Sequence, residues 1–291
     1  MLRVFTRCGH TCGKSFREEV SRAAGWSVGR LMTTLRLERT SDNFVLQVSL
    51  NRPEVRNAIN LEMAESFLEL AIRLQTDASI RAIVLTGEGV DFSSGRDLKE
   101  SRGHTKEQAD MFQRILMQAT REWEKIPVPT VAAINGNCYG WGVEIAIASD
   151  FRYTHADSQI CLPECGLAIF PGAGGSVRLP RLVGSGIAKE LIFTSEKISG
   201  QRAAVHGLVN HCYDTPEIMI KKAQTVAQVI ASRGPLGVRG AKRVINESQD
   251  LPLEAGLELS NTHRLKLNYT KDFAEALLAF KEKRVPVFKG E

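Results

Sequence analysis

The chain has 291 residues, 43% hydrophobic and 24% charged, the profile of an ordinary globular protein with a sizeable core in one large domain, with or without an appendage. No run reaches the roughly eighteen uninterrupted apolar residues of a membrane span, since even 131 to 149 is broken by Asn135, Asn137 and Glu144. The formal charge of +5 sits mostly at the front of the chain, which leaves little for a nucleic-acid surface on the body.

The first 32 residues hold six basic residues (Arg3, Arg7, Lys14, Arg17, Arg22, Arg30) against Glu18 and Glu19, with Ser and Thr interspersed and no apolar signal-peptide stretch. A mitochondrial transit peptide has this composition, and so does a plain basic tail. Without them, 32 of the 38 basic and 31 of the 33 acidic residues remain, a net charge of +1. The expected location is the mitochondrial matrix, where the six cysteines, which form no CxxC pair, stay reduced.

From Thr33, LRLERT and FVLQVSLN read as two strands around a Ser-Asp-Asn turn at 41 to 43. Asn60 can cap a helix with apolar positions Leu61, Ala64, Leu68, Ala71 and Ile72. RAIVLTGEG reads as a buried strand, 106 to 123 as a helix, TVAAIN as a second buried strand and 142 to 149 as a helix, a strand, strand, helix rhythm of α/β type. Thr215-Pro216-Glu217 is a strong helix start. Beyond it, helical faces follow at Met219, Ala223, Val226 and Ile230, over 236 to 248 and 252 to 268, and at Phe273, Leu277 and Phe280. The organisation expected is a leader over 1–32, an α/β core over 33–215 and a helical region over 216–291 that packs on the core or on another subunit.

Three glycine-rich stretches, 86–101, 134–144 and 162–181, each lie between a strand and a helix. Such loops either make tight turns or bring free N–H groups close to an oxygen gathering negative charge. Nucleotide binding finds no GxxxxGK[ST] motif and no early GxGxxG. Ser93 and Ser94 lie outside GxSxG, and no histidine pair has HExxH spacing, so neither a serine nucleophile nor a metal centre is indicated. Two acids remain. Glu144 opens an apolar helix and Glu164 follows Pro163 ahead of a hydrophobic loop. Each could be an exposed helix-start residue, or the two could serve as general base and general acid beside an oxyanion hole.

CYGWGVE at 138–144 followed by Ser149-Asp150, Pro163-Glu164, PGAGG at 171–175 and RLPRLVG at 178–184, together with NRPEVRNAIN at 51–60, SSGRDLKE at 93–100 and AFKEKRVPVF at 279–288, resemble the crotonase (enoyl-CoA hydratase/isomerase) superfamily. The likeness runs from residue 33 onward and is greatest to its mitochondrial methylglutaconyl-CoA hydratase branch. It implies a crotonase-like spiral of ββα repeats with a helical C-terminal trimerisation region, assembled as a trimer or hexamer. It also implies hydration of an acyl-CoA thioester, with coenzyme A arriving as part of the substrate, no separate cofactor and no metal. Glu144 and Glu164 match the two catalytic glutamates, the N–H groups of Arg96 and Trp141 the oxyanion hole, and Gly172 a backbone donor near the water. Arg56, Ala58 and Lys99, with Phe280 and Lys283 of a neighbouring subunit, match coenzyme A contacts.

Two positions depart from the pattern. Trp141 stands where glycine is usual and Arg96 where a small residue is usual, so the acyl pocket is expected to differ. Arg96 could meet an acyl carboxylate, a coenzyme A phosphate or solvent. Isomerisation or thioester hydrolysis on the same fold is the alternative chemistry. RNA binding, a property of some members of that branch, is the alternative of another class, and the near-neutral body, with only Lys221-Lys222 and Lys281/Lys283/Arg284 as basic clusters, speaks against it.

Overall fold

The computed structural model describes residues 33–40 and 44–291. The leader over 1–32 and the turn at 41–43 lie outside the described residues. The strands either side of that turn, β1 (Leu35–Arg39) and β2 (Val45–Leu50), pair antiparallel with Leu35 opposite Leu50. The Oδ1 of Asn60 accepts from the Met63 amide at 3.0 Å and starts α1 (Leu61–Leu74). The buried stripe of α1 is centred on Met63, Phe67, Leu70 and Leu74, which leaves the predicted core residue Ile72 at its edge, 38% exposed.

The chain continues through β3 (Ala82–Gly87), α2 (Leu98–Ser101), α3 (Lys106–Glu124), β4 (Thr130–Ile134), β5 (Cys138–Tyr139), α4 (Trp141–Ile147), β6 (Phe151–His155) and β7 (Gln159–Cys161). Then come α5 (Gly175–Val183), α6 (Ser185–Thr194), β8 (Ile198–Ser199), α7 (Gly200–Val205) and β9 (His211–Tyr213). The larger sheet has the order β1-β2-β3-β4-β6-β9, parallel from β2 onward, and β5-β7-β8 form a smaller one. Every residue of β3 and β4 is buried, which explains their unbroken apolar runs: a parallel strand covered on both faces has no polar side.

Two isolated parallel bridges, Ile59 to Arg96 and Ser93 to Cys138, continue the smaller layer towards the start of the chain. Each turn of the chain thus places one long strand in the large sheet, one very short extended piece in the second layer, and then a helix. This is the ββα spiral. The loops that close each turn gather on one side of it, with Ser93 to Arg96 lying against Asn137 to Trp141.

Helix α8 (Pro216–Ala231) covers the large sheet, burying Met219, Ala223, Ala227 and Ala231 against Val45, Ala82, Val84, Val131, Ala133 and Tyr153. Alanine at every fourth position lets the helix approach the strands closely. The outer helices are α9 (Pro235–Ser248), α10 (Leu253–Leu267) and α11 (Lys271–Glu282). The Lys242 ammonium anchors α9 by donating to Asp150 Oδ2 at 2.7 Å and the Val128 carbonyl at 3.0 Å. Helix α10 buries none of its residues. Among the described residues no helix is long and apolar enough to cross a membrane.

Candidate active site

Glu144 lies in the first turn of α4, and every residue of that helix is buried. Its Oε1 accepts two backbone hydrogen bonds, from the Ala173 and Gly175 amides, both at 2.8 Å. The Gly175 amide opens α5 and Ala173 lies just before its cap, Gly174, so the carboxylate sits at the positive end of a helix. Burial dominates all the same and pushes the Glu144 carboxyl up to about 7; the Gly175 amide opposes that rise, the charge of Glu164 adds to it, and the Ala173 amide and Arg178 lower it again.

Glu164 begins a short 3-10 turn, Glu164–Leu167, set by Pro163. Its side chain turns inward. The Oε1 lies 3.2 Å from where a Cβ on Gly140 would stand, and the Oε2 is buried with no hydrogen-bond partner. Burial raises its pKa as well. An ionised oxygen in such a place has nothing to offset its lost hydration, whereas a protonated one carries no charge. Two carboxyls that feel each other's charge hold one proton between them more readily than none. The two acids, twenty positions apart in sequence, therefore come close enough for the charge of Glu164 to act on Glu144, and Glu164 lies against Gly140, the residue before Trp141.

Gly95 and Gly140 precede Arg96 and Trp141. Both have positive φ, 84° and 52°, and they pack so tightly that a Cβ on Gly95 would stand 2.7 Å from the Tyr139 carbonyl oxygen and 3.5 Å from Gly140 Cα. Only glycine allows that approach. The Tyr139 amide donates to the Ser93 carbonyl at 2.9 Å and the Ser93 amide to the Asn137 carbonyl at 3.1 Å, which fixes the two segments side by side. At Arg96 the bridge to Ile59 uses only the flanking groups, Gly95 O and Asp97 N. The amides of Arg96 and of Trp141, the first residue of α4, thus donate to no acceptor among the described residues. Two unused N–H groups on abutting backbones can hold one oxygen.

The indole of Trp141 does not enter this space. It is 2% exposed, donates to Thr120 Oγ1 at 3.1 Å and the Leu116 carbonyl at 3.3 Å, and meets Phe67 edge-on at 5.5 Å. Its bulk is absorbed between α1 and α3, so the expectation that it reshapes the acyl pocket does not hold for the side chain itself. The Arg96 side chain instead runs towards α3. Its guanidinium lies 4.6 Å over the Phe112 ring and its Nε donates to Ser101 Oγ at 2.9 Å.

Gly172 lies against the Gln113 side-chain amide, beside the amides that hold Glu144. Arg56 is left-handed (φ 55°) and pairs loosely with Asp91 at 3.7 Å. Ala58 is buried, and Lys99 is exposed in α2. Phe280 is 86% exposed near the end of α11, and Lys283 ends that helix in the left-handed conformation. Among the described residues no three His, Cys, Asp or Glu side chains gather as metal ligands would.

Sequence reasoning did not single out Ala173, Gly175, Gln113 or Arg178. Arg178 donates to both oxygens of Glu124, at 3.0 and 2.6 Å, and to the Ala173 carbonyl at 3.3 Å, clamping the loop that holds Glu144. The signal present was PGAGG itself, whose alanine and last glycine supply the amides.

Comparison with known proteins gives the chain its family. The family model described as "Enoyl-CoA hydratase/isomerase" matches residues 40–291. "Probable enoyl-CoA hydratase 2, mitochondrial" of Arabidopsis thaliana is 40% identical over 252 residues, covering 86% of this chain and 83% of that protein. "Methylglutaconyl-CoA hydratase, mitochondrial" of Mus musculus is 34% identical, covering 85% and 80%. The 1.8 Å crystal structure of enoyl-CoA hydratase from Bacillus anthracis is 38% identical, with a TM-score of 0.86 over 89% of this chain and all of that one.

Proposed function

The chain belongs to the enoyl-CoA hydratase/isomerase family, and we propose that within it the protein hydrates a 2-enoyl-CoA thioester to the 3-hydroxyacyl-CoA. The observation that carries the reading is a buried carboxyl, Glu144, within reach of the charge of a half-buried one, Glu164, beside two free backbone amides.

The thioester carbonyl oxygen accepts from the amides of Arg96 and Trp141. As water adds at C3, negative charge moves onto that oxygen, where preorganised donors are worth about 3 kcal/mol each. Glu144, in its ionised form with the Ala173 and Gly175 amides on one oxygen, takes a proton from the water while the water's hydroxyl bonds to C3. Glu164, whose pKa burial raises, delivers a proton to C2 from its acid form. The elements of one water are added and no electrons are exchanged, so the reaction calls for nothing beyond the coenzyme A already on the substrate. Two positioned acids favour hydration over a double-bond shift, which can proceed with one.

The coenzyme A moiety would lie along Arg56, Ala58 and Lys99, met by Phe280 and Lys283 of a neighbouring copy in a trimer or hexamer. The basic leader and the mitochondrial names of the relatives support a place in the mitochondrial matrix, in the breakdown of fatty acids or branched-chain amino acids. The test is hydration of crotonyl-CoA, followed by loss of the conjugated thioester's ultraviolet absorbance, with product mass to detect the added water. Glu144→Gln and Glu164→Gln are each expected to lose about 10²- to 10⁴-fold in kcat. Variants as fast as the parent, or a product without added water, reject the reading.

A further inference from the structure

We propose that Asp91 is a positioning residue for the thioester site: its buried carboxylate orients the Arg56 guanidinium on one side and ties down the turn that carries the Trp141 amide on the other. The inference rests on the thioester reading above, in which Arg56 meets coenzyme A and the Trp141 amide meets the carbonyl oxygen.

Asp91 follows β3 and is 4% exposed. A carboxylate taken out of water needs donors or a counter-charge, and this one finds them on two other segments of the chain. Its Oδ1 accepts from the Asn137 amide at 3.1 Å and from the Asn137 side chain at 2.6 Å. Its Oδ2 faces the Arg56 Nε at 3.7 Å. The Arg56 side chain is otherwise 71% exposed, and among the described residues its two terminal nitrogens have no partner. Those nitrogens form the edge of a guanidinium that can grip a phosphate.

The Asn137 side leads to the reacting centre. The Asn137 carbonyl accepts from the Phe92 and Ser93 amides, both at 3.1 Å, and its Oδ1 accepts from the Tyr139 hydroxyl at 3.1 Å. Tyr139 and Gly140 then run into Trp141. Packing leaves no slack, since a Cβ on Gly136 would stand 1.9 Å from the Val90 carbonyl oxygen and one on Gly87 2.2 Å from that of Asp91. The Arg56 segment is tied to the same place. Asn57 Nδ2 donates to the Glu88 and Asp91 carbonyls at 2.9 and 2.8 Å, and the Ser94 amide donates to the Arg56 carbonyl at 2.9 Å. These bonds hold Arg56 and Asn57 in left-handed conformations, φ 55° and 53°, which residues other than glycine keep only when their surroundings enforce them. Backbone bonds thus set where the Arg56 side chain begins, and Asp91 sets where its guanidinium ends. Burial raises the Tyr139 phenol, Cys161 and Asp91 add to the rise and Arg56 opposes it, so phenol, carboxylate and guanidinium form one cluster.

The test separates the two sides of the carboxylate on the full-length protein, with free coenzyme A binding measured by calorimetry and crotonyl-CoA hydration by initial rates. Asp91→Asn keeps an acceptor for Asn137 and removes the charge that Arg56 faces; Asp91→Ala removes both. Asp91→Asn should weaken coenzyme A about three- to tenfold, the cost of ordering one long side chain on binding, and raise KM with kcat within about twofold of the parent. Asp91→Ala should show the same loss of affinity and, in addition, a fall in kcat of about tenfold, because the Trp141 amide is no longer held on its line. Arg56→Met with Asp91→Asn should bind coenzyme A no more weakly than Arg56→Met alone, since the carboxylate acts through that guanidinium. Affinity that is unchanged in Asp91→Asn overturns the proposal, and so does tighter binding, which would mean that the carboxylate repels the coenzyme's phosphates. Additive losses in the double variant overturn it too. Equal falls in kcat in the two Asp91 variants with KM unmoved would make the carboxylate purely structural. A parent that binds coenzyme A without hydrating crotonyl-CoA rejects the hydratase while the affinity ratios still decide the pairing with Arg56, and hydration without these shifts does the reverse.

Discussion

Glu144 is pulled in two directions, by amides that favour its anion and by burial that disfavours it, and the balance has consequences for rate and stability of opposite sign. As the base it must be ionised, so kcat/KM is expected to fall as pH drops below about 7; a profile flat from pH 8 to pH 5.5 would contradict the assignment. For stability, its carboxyl is raised from 4.5 to about 7 in the fold. The folded state therefore keeps a proton that the unfolded chain has already lost between those pH values, and the stabilisation present below 4.5 declines as pH rises through about 7. Glutamine keeps the acceptor for Ala173 and Gly175 and never ionises. Glu144→Gln should therefore stabilise the fold relative to the parent more at pH 8 than at pH 5, by at most about 3 kcal/mol and read as a larger rise in Tm at the higher pH, while removing activity. Equal Tm differences at the two pH values would mean that the carboxyl is not strained. Arg178 acts on the same group from behind. Arg178→Met releases the Ala173 carbonyl and removes a charge that lowers the Glu144 pKa, so kcat should fall and the acid limb of the pH profile should move upward. Arg178→Lys should restore the limb more than the rate. A rate loss with an unmoved limb would make Arg178 a purely structural clamp.

At the scale of elements, the site depends on extended pieces too short to show a period. The long strands β2, β3 and β4 and the helices α1, α3 and α8 were legible because a covered parallel strand is uniformly apolar and a helix repeats every 3.6 residues. The second layer was not: β5 has two residues and the pieces at Ile59, Ser93 and Arg96 are single bridges. They are held by buried polar side chains. Ser93 Oγ donates to the Asn57 carbonyl at 2.8 Å and accepts from the Gly95 amide at 3.1 Å, while Asn57 donates to the Asp91 carbonyl at 2.8 Å. Ser93, set aside in the sequence as a poor nucleophile, proves to be the pin of the oxyanion turn. Glu144 and Glu164 were legible as residues because of their odd settings, but their convergence needed the spiral, and the directions of the Trp141 and Arg96 side chains needed the packing. The turn can be tested at Gly140, whose φ of 52° and ψ of −121° belong to glycine alone. Gly140→Ala places a methyl 3.2 Å from Glu164 Oε1 and twists the peptide that carries the Trp141 amide. The expected loss is about 10²-fold or more in kcat with a smaller change in KM, because the interaction lost strengthens only as charge develops. A rise in KM alone would place Trp141's amide away from the reacting oxygen.

For the whole molecule, the apolar residues left on the outer helices set the question of assembly. Helix α10 exposes Leu253 (74%) and Leu257 (54%) one turn apart, and α11 with the residues after it exposes Leu277, Phe280, Val285 and Val287. The core is complete without them, since α8 already covers the large sheet. Large apolar side chains left on water in this number are costly and typical of a subunit contact. If copies meet here, Phe280 and Lys283 of one reach the coenzyme of another, and assembly is tied to substrate binding. Leu257→Asp puts a charge in the middle of the stripe at a position with no role in the chain's own core. Light scattering should give a mass of three or six 32.1 kDa chains for the parent and a smaller species for the variant. The variant's KM for the thioester should rise and fall back as protein concentration is increased, because mass action restores the contact. Circular dichroism should remain that of the parent, since the mutated face lies outside the core. A parent that is monomeric and fully active, or a dissociated variant with an unchanged KM, would show that one chain carries the whole site and that the exposed stripe serves something else.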